Sequence, residues 1–154
     1  MRGLLLAVVL ASLAATAAAQ GGLSKEENAR LKAQAARPPS AAEKKKMAER
    51  AKRLDFWTLC TEAGRALRTP RTTASGKHWD GLVLARANIP SGDVGYIKQG
   101  RLAIGIDECS AVAILGKPDS AVDDRPGGLG KQLVYRSRGI YVYTDKGVVR
   151  AWQD

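Results

Sequence analysis

The stretch that decides the fold covers residues 101–154 and reads RLAIGIDECSAVAILGKPDSAVDDRPGGLGKQLVYRSRGIYVYTDKGVVRAWQD. Its first part has an apolar run between Asp107 and Gly116, with Pro118 shortly after. An aspartate is a good N-cap because its carboxylate accepts the free backbone N–H groups of a first helical turn, and glycine followed by proline ends a helix. The pattern therefore predicts a short helix at Glu108–Leu115, with strands after it.

Three strands are predicted at 131–136, 139–144 and 147–153, joined by two tight turns that contain glycine. Because side chains alternate along a strand, Ile140 and Val142 are expected on one face and Tyr141 and Tyr143 on the other. The aliphatic face is expected to receive the helices. The tyrosine face is either a second half-buried layer or a partner-binding surface, to which Trp152 would also contribute.

Upstream, residues 40–68 predict one long helix that begins with a capping box at Ser40 and Glu43. Its second half carries an apolar stripe and is expected to dock on the domain. Its first half is a candidate site for polyanions, formed by Lys44, Lys45, Lys46, Arg50, Lys52 and Arg53. The alternative is a solvated basic face with no ligand.

The N-terminus has the pattern of a secretory signal peptide at residues 1–19. A short basic start is followed by an apolar run too short to span a bilayer, and small residues then precede Gln20. The alternative is an uncleaved anchor. Residues 20–39 are expected to form a mobile polar arm. The chain is thus predicted to be exported, with the periplasm favoured over the extracellular space.

Export favours a disulfide between the only two cysteines, Cys60 and Cys109. Closing a loop of this size would stabilise the fold by roughly 4 kcal/mol. The alternative is a pair of buried free thiols.

Residues 69–100 are interpreted as a connecting region of loops and turns. They contain the only histidine, His78, which lies beside Trp79. A lone histidine in a loop is more typical of a structural or exposed residue than of a catalytic one. Asp119, Asp123 and Asp124 do not have the spacing of an EF-hand and are interpreted as solvated turn residues. No catalytic residue, metal site or cofactor is predicted.

The basic excess lies in the N-terminal half. Residues 21–80 contain 14 basic and 7 acidic residues, a balance of +7, whereas residues 81–154 contain 10 and 8, a balance of +2. Such a segment is attracted to anionic surfaces by a force that salt weakens. For an exported chain the expected polyanions are anionic lipid or cell-wall polymer, and nucleic acid is not expected.

The motifs of the last third resemble those of the small SmpA/OmlA (BamE-like) envelope domains. The matching segments are Gly105-Ile106-Asp107, Leu115-Gly116-Lys117-Pro118, Val134-Tyr135, Tyr141-Val142-Tyr143-Thr144 and Gly147-Val148. The resemblance covers about the last 55 residues. It implies an α+β fold in which helices pack on a three-stranded antiparallel β-meander, here with a long basic N-terminal helix. A related architecture serves secreted inhibitors of β-lactamase, which act by binding a protein.

The sequence therefore predicts a non-enzymatic exported envelope protein that acts as a protein-binding, assembly or structural module. Two alternatives remain. One is salt-dependent binding of an anionic envelope surface or polymer through the basic helix at 44–53, and the other is an inhibitor-like protein binder. The protein partner and the oligomeric state are not specified by the sequence.

Overall fold

The computed structural model describes residues 24–123 and 130–154 of the chain. The helices in this part are α1 Lys25–Ala36, α2 Ala41–Lys52, α3 Phe56–Arg68, α4 Ala74–Ala87, α5 Val94–Gln99 and α6 Glu108–Leu115. The strands are β1 Ser120–Asp123, β2 Lys131–Tyr135, β3 Ile140–Asp145 and β4 Val148–Gln153. The α+β class that the sequence predicts is confirmed.

The chain divides into two units, of which the first contains α1 and the second begins at Arg37. Helix α1 has no buried residue, and the signal-peptide prediction at 1–19 lies outside the described residues. Within the described ranges, no helix combines the length and the apolar character needed to cross a membrane.

The predicted single helix at 40–68 is two helices, and this part of the prediction is wrong. Ser40 and Glu43 form the expected capping box, but α2 ends at Lys52. Asp55 then caps α3, because its carboxylate accepts hydrogen bonds from the backbone N–H and the hydroxyl of Thr58 at 3.0 and 2.7 Å. An aspartate stabilises a helix far better at the N-cap than in the interior, so the chain breaks here.

The predicted connecting region at 69–100 is largely helical, which also corrects the sequence interpretation. Thr73 begins α4 by accepting a hydrogen bond from the Gly76 N–H at 3.1 Å. Asn88 ends the helix in the left-handed conformation, with φ of 49°. His78 and Trp79 are therefore helical residues rather than loop residues.

The sheet has four antiparallel strands in the order β1-β2-β3-β4, and not the predicted three. The additional strand β1 pairs with β2 in a register that places Ala121 opposite Leu133. Leu133 in turn lies opposite Val142, and the side chains of Leu133 and Val142 belong to the core between the sheet and the helices. Asp123, interpreted above as a turn residue, belongs to β1, while Asp124 lies outside the described residues.

The helix predicted at Glu108–Leu115 is confirmed as α6. The Asp107 carboxylate accepts a hydrogen bond from the Cys109 N–H at 2.7 Å, and Gly116 ends the helix with φ of 87°. Every residue of α6 is buried, because the helix lies between the sheet and α3. The segment before it pairs with β4, since the Gly105 N–H donates to the Val149 carbonyl at 2.8 Å and the Val149 N–H donates to the Ile106 carbonyl at 2.9 Å.

Two hydrophobic cores meet at α3. Cys60 belongs to the core shared by α6 and the inner sheet face, whereas Leu59 and Ala63 belong to a smaller core against α4. Gly64 lies so close to α6 that a Cβ at this position would be 2.1 Å from the Ala113 carbonyl oxygen. A side chain larger than hydrogen cannot fit there, so this glycine sets the distance between the helices.

Candidate functional site

A cleft of about 300 Å³ lies where α2, α3 and α4 meet. Met47 and Leu54 of α2 and Trp79 of α4 supply its apolar walls. Arg50, Glu62 and Arg71 supply its charged groups. Its volume is at the lower end of the range of small-molecule sites, which combine apolar walls with a few polar groups.

The turn before α4 places Arg71 at this cleft. Gly76 makes this possible, because a Cβ there would be 2.5 Å from the Arg71 Cβ and 2.8 Å from the Thr73 hydroxyl. Arg71 folds back across the first turn of α4, where its backbone N–H donates to Asp80 at 2.7 Å. Its guanidinium then reaches both Asp80 and Glu62, at 2.5 and 3.1 Å.

Four side chains beneath the cleft form a neutral ionic cluster, defined here as Glu62, Arg65, Arg71 and Asp80. Arg65 pairs with Asp80 and also lies 3.4 Å from Glu62. The Trp79 indole N–H adds a further hydrogen bond to Glu62, at 3.3 Å. Asp80 is 5% exposed, so its charge depends on these donors instead of on water.

The donors shift both carboxyl groups of the ionic cluster in the same direction. Burial alone would raise the pKa of Asp80, but the backbone N–H of Arg71 and the two guanidiniums outweigh it and hold that pKa below its ordinary value. For Glu62, hydrogen bonds from Arg71 and Trp79 likewise outweigh the effect of burial and lower the pKa. Both groups are therefore carboxylates at neutral pH.

The six basic residues predicted as a polyanion site are all exposed, five of them on α2 and Arg53 as its C-cap. They do not act alike, because the Arg50 guanidinium lies over the Trp79 ring, 5.0 Å from its centroid, and lines the cleft. Lys52 forms an exposed ion pair with Glu49 at 3.0 Å. In the described part of the chain, Lys44, Lys45, Lys46 and Arg53 have no carboxylate within salt-bridge distance.

The predicted disulfide is confirmed. Cys60 of α3 and Cys109 of α6 are bonded, with their Cα atoms 5.1 Å apart. Both residues are almost fully buried within the larger core. The bond therefore has a structural position, and it does not contribute to the cleft.

The structure separates the three aromatic residues predicted as a partner-binding set. Tyr141 and Tyr143 lie on the sheet face away from the helices, where the Tyr143 hydroxyl bridges Gln132 and Gln153 at 3.1 Å each. Trp152 lies opposite Val142, a core residue, and so belongs to the other face. We call the tyrosine side the outer face; it includes Val122, Gln132, Val134, Tyr141 and Tyr143, none of which belongs to either core cluster, although Val134 is only 7% exposed.

A second charged group surrounds the start of α6. The Glu108 carboxylate is 5% exposed, accepts a hydrogen bond from Thr144 at 3.0 Å and pairs with Lys131 at 2.9 Å. Asp93 accepts a hydrogen bond from the Asp107 N–H at 2.9 Å. Burial raises the pKa of Asp107, and the nearby carboxylates of Asp93 and Glu108 add to that increase.

His78, the only histidine, lies on α4 with a buried Nε2 that has no hydrogen-bond partner among the described residues. Nor does any group of three or more His, Cys, Asp or Glu side chains within residues 24–123 and 130–154 have an arrangement that could hold a metal ion. The cleft itself was missed by the sequence interpretation. Its one local signal is Trp79, an aromatic residue within a run otherwise interpreted as a polar loop.

No protein-family model, curated protein or solved structure matches this chain. The resemblance of its last third to the SmpA/OmlA domains therefore stays a prediction from the quoted motifs. The class that the fold and the site define is a disulfide-linked α+β domain with a small charged cleft and a basic helix.

Proposed function

We propose that this chain is a non-enzymatic, exported binding module that attaches to an anionic surface of the cell envelope through helix α2. The observation that carries the proposal is the outward face of α2 together with its C-cap residue Arg53, where Lys45, Lys46 and Arg53 are exposed without a carboxylate partner in the described part of the chain. Glu49 is the one acidic residue on that face, and it pairs with Lys52.

The distribution of charge favours the region around α2, over the rest of the second unit, as the surface that attaches to an anionic partner. Residues 37–88 contain 12 basic and 5 acidic side chains, a balance of +7. The other described residues of the unit, 89–123 and 130–154, contain 8 and 7, a balance of +1. A one-sided field of this kind orients a protein toward an anionic surface, and its effect falls as salt rises.

The composition of α2 favours adsorption at the surface and not insertion. An interfacial helix that enters a membrane needs bulky apolar residues on the inserted face. In α2 the larger apolar residue, Met47, lines the cleft, and Ala51 is buried in the smaller core. The outward face therefore offers charge along roughly 18 Å of helix and little apolar area.

The test is binding of the mature chain to vesicles of phosphatidylcholine with and without phosphatidylglycerol, at low and at high salt. We expect binding only to the anionic vesicles and release by salt. Replacing Lys45, Lys46 and Arg53 together by Gln should weaken binding about a hundredfold, since each basic residue near an anionic surface contributes about 1 kcal/mol.

A matched control removes the same charge elsewhere. Lys98, Lys117 and Arg138 are exposed and lie outside α2, so their replacement by Gln lowers the net charge equally. The control variant should keep most of the affinity. An equal loss of vesicle affinity in both variants would show that net charge, and not the position of the charges on α2, determines binding. Failure of the unmodified chain to bind anionic vesicles would contradict the proposal.

A second candidate function is the one that the sequence favours, binding of an envelope protein at the outer face. Tyr141 and Val122 are 37% and 38% exposed, and the residues that define this face carry no charge. The fitting partner presents an uncharged, apolar surface, so its binding would resist high salt. Capture from an envelope fraction at high salt should be lost on Tyr141→Ala, with an unchanged melting temperature, and kept in the triple α2 variant.

A further inference from the structure

We infer that the cleft between α2, α3 and α4 is a binding site for an organic carboxylate with an apolar, ring-bearing body. The site lies on the flank of α2 and borders the outward face of that helix at Arg50, whereas Lys45, Lys46 and Arg53 do not line it. Its walls are Met47, Leu54 and Trp79, and Arg50 lies at its edge.

The charges of the cleft determine which ligand it can accept. Within the ionic cluster, the carboxylates of Glu62 and Asp80 are matched by two guanidiniums, so the cluster is neutral as a whole. Arg50 is not part of the ionic cluster, and no carboxylate of the described residues neutralises its charge by a salt bridge. One positive charge is therefore available at the cleft, which favours a ligand with one negative charge.

The position of Arg50 favours a planar acid group. The Arg50 guanidinium carbon lies 5.0 Å from the centroid of the Trp79 ring, and a guanidinium presents its N–H donors as a planar fork that can form two parallel hydrogen bonds to a carboxylate. The ring of Trp79 and the side chains of Met47 and Leu54 then offer apolar contact to the body of the ligand. A small inorganic anion would leave these walls without contact.

Two sources can supply this chemistry, a free aromatic acid and the C-terminal residue of a peptide. The probes are naphthoate and its neutral amide for the first source. For the second they are the tripeptide glycyl-glycyl-phenylalanine and its C-terminal amide. The measurement is the NMR signal of the Trp79 indole N–H, which lies at the cleft and bonds to Glu62.

We expect naphthoate to shift the Trp79 signal and the amide to bind at least roughly tenfold more weakly, because charge-assisted hydrogen bonds are lost. Arg50→Gln should weaken naphthoate binding to a similar extent. Lys45→Gln removes the same charge from the outward face of α2 and should change the affinity less than about twofold, since that exposed charge is screened by solvent.

Naphthoate binding that equals amide binding, or that survives Arg50→Gln, would overturn the inference, as would the absence of a Trp79 shift with both naphthoate and the tripeptide. Binding by the tripeptide but not by its amide would support the site and identify a peptide terminus as the source. Vesicle binding of the same Arg50→Gln protein distinguishes this result from a failure of the proposed function, because Lys45, Lys46 and Arg53 remain in place.

Discussion

The two sides of α3 are stabilised by different means. Toward α6 and the sheet it contributes Cys60 to a core of thirteen buried residues, which includes the disulfide. Toward α4 the core has five buried residues, two of which are alanines. On this second side the ionic cluster joins α3 to α4 and to the turn before α4. Apolar area and a covalent bond thus stabilise one side, whereas polar pairing has a larger share on the other.

Removing the disulfide should have the largest effect, because it weakens the stronger side. The double change of Cys60 and Cys109 to alanine is expected to lower the free energy of unfolding by about 4 kcal/mol, since the bond closes a loop of 49 residues in sequence separation. Urea unfolding with and without a reductant measures this. The double variant should be insensitive to the reductant, and an unchanged midpoint would show that the core alone suffices.

Gly64→Ala tests the contact that joins α3 to α6. The added Cβ would be 2.1 Å from the Ala113 carbonyl oxygen, so the helices must separate. We expect a loss of about 3 kcal/mol, at the upper end of what overpacking costs. Gly81→Ala is the matched control, because a Cβ there meets nothing within 4 Å and alanine favours a helix. Thermal unfolding of both variants compares them.

Asp80→Asn tests the dependence of the weaker side on charge. Loss of the carboxylate leaves Arg65 and Arg71 with Glu62 as their one remaining carboxylate partner in the ionic cluster, which should cost about 2 kcal/mol. The expected loss is smaller than for a fully buried ion pair, because the side chains of Arg65 and Arg71 are 30% and 35% exposed and solvent screens their charge. Urea unfolding at neutral pH measures it, with Glu49→Gln as the control, since the Glu49–Lys52 pair is exposed and should contribute little.

The same carboxyl group predicts a pH dependence. Because the folded state lowers the pKa of Asp80, its stabilisation is complete above the ordinary value of about 4 and is lost as pH falls through the lowered value. The unfolding midpoint of the unmodified chain should therefore fall in acid. In Asp80→Asn the unfolding midpoint should fall less steeply with decreasing pH. An equal fall in the two proteins would show that Asp80 is not the cause of the acid sensitivity.

Arg86→Met should have the smallest effect of the series. The Arg86 guanidinium donates to the Ala51 and Leu54 carbonyls at the end of α2, where a positive charge is favourable. We expect a loss of about 1 kcal/mol. Lys77→Met on the same helix removes an exposed charge and is the control. Equal melting temperatures for the two variants would exclude a role for Arg86 as a cap.

The sequence predicted the elements whose signals are local. Asp107 and Gly116 bound α6 as expected, and the positions of β2 to β4 follow from alternation and turn residues. The break at Asp55 was missed because Ala41 to Leu67 favours a helix almost throughout, although Asp55 with Thr58 was an available N-cap signal. Strand β1 has only four residues and is mostly exposed, so its conformation depends on pairing with β2.

The cleft could not be predicted from spacing. Arg50, Arg71 and Trp79 come together only because α2 and α3 are separate helices and because α4 exists. The basic residues of the helix were predicted as one group. The sequence did not indicate that Arg50 differs from the others, because its position depends on the Trp79 ring, 29 positions away in the chain. Non-local packing of this kind has no periodicity in the sequence.

The place of α3 between two cores has a consequence for sequence variation. Leu59 is constrained from one side, Cys60 from the other, and Gly64 by a backbone oxygen that no side chain can displace. A saturation scan of the chain should therefore find α3 among its least tolerant segments and the outward positions of α2 among its most tolerant for folding. Substitutions could then alter what α2 binds with little effect on the scaffold.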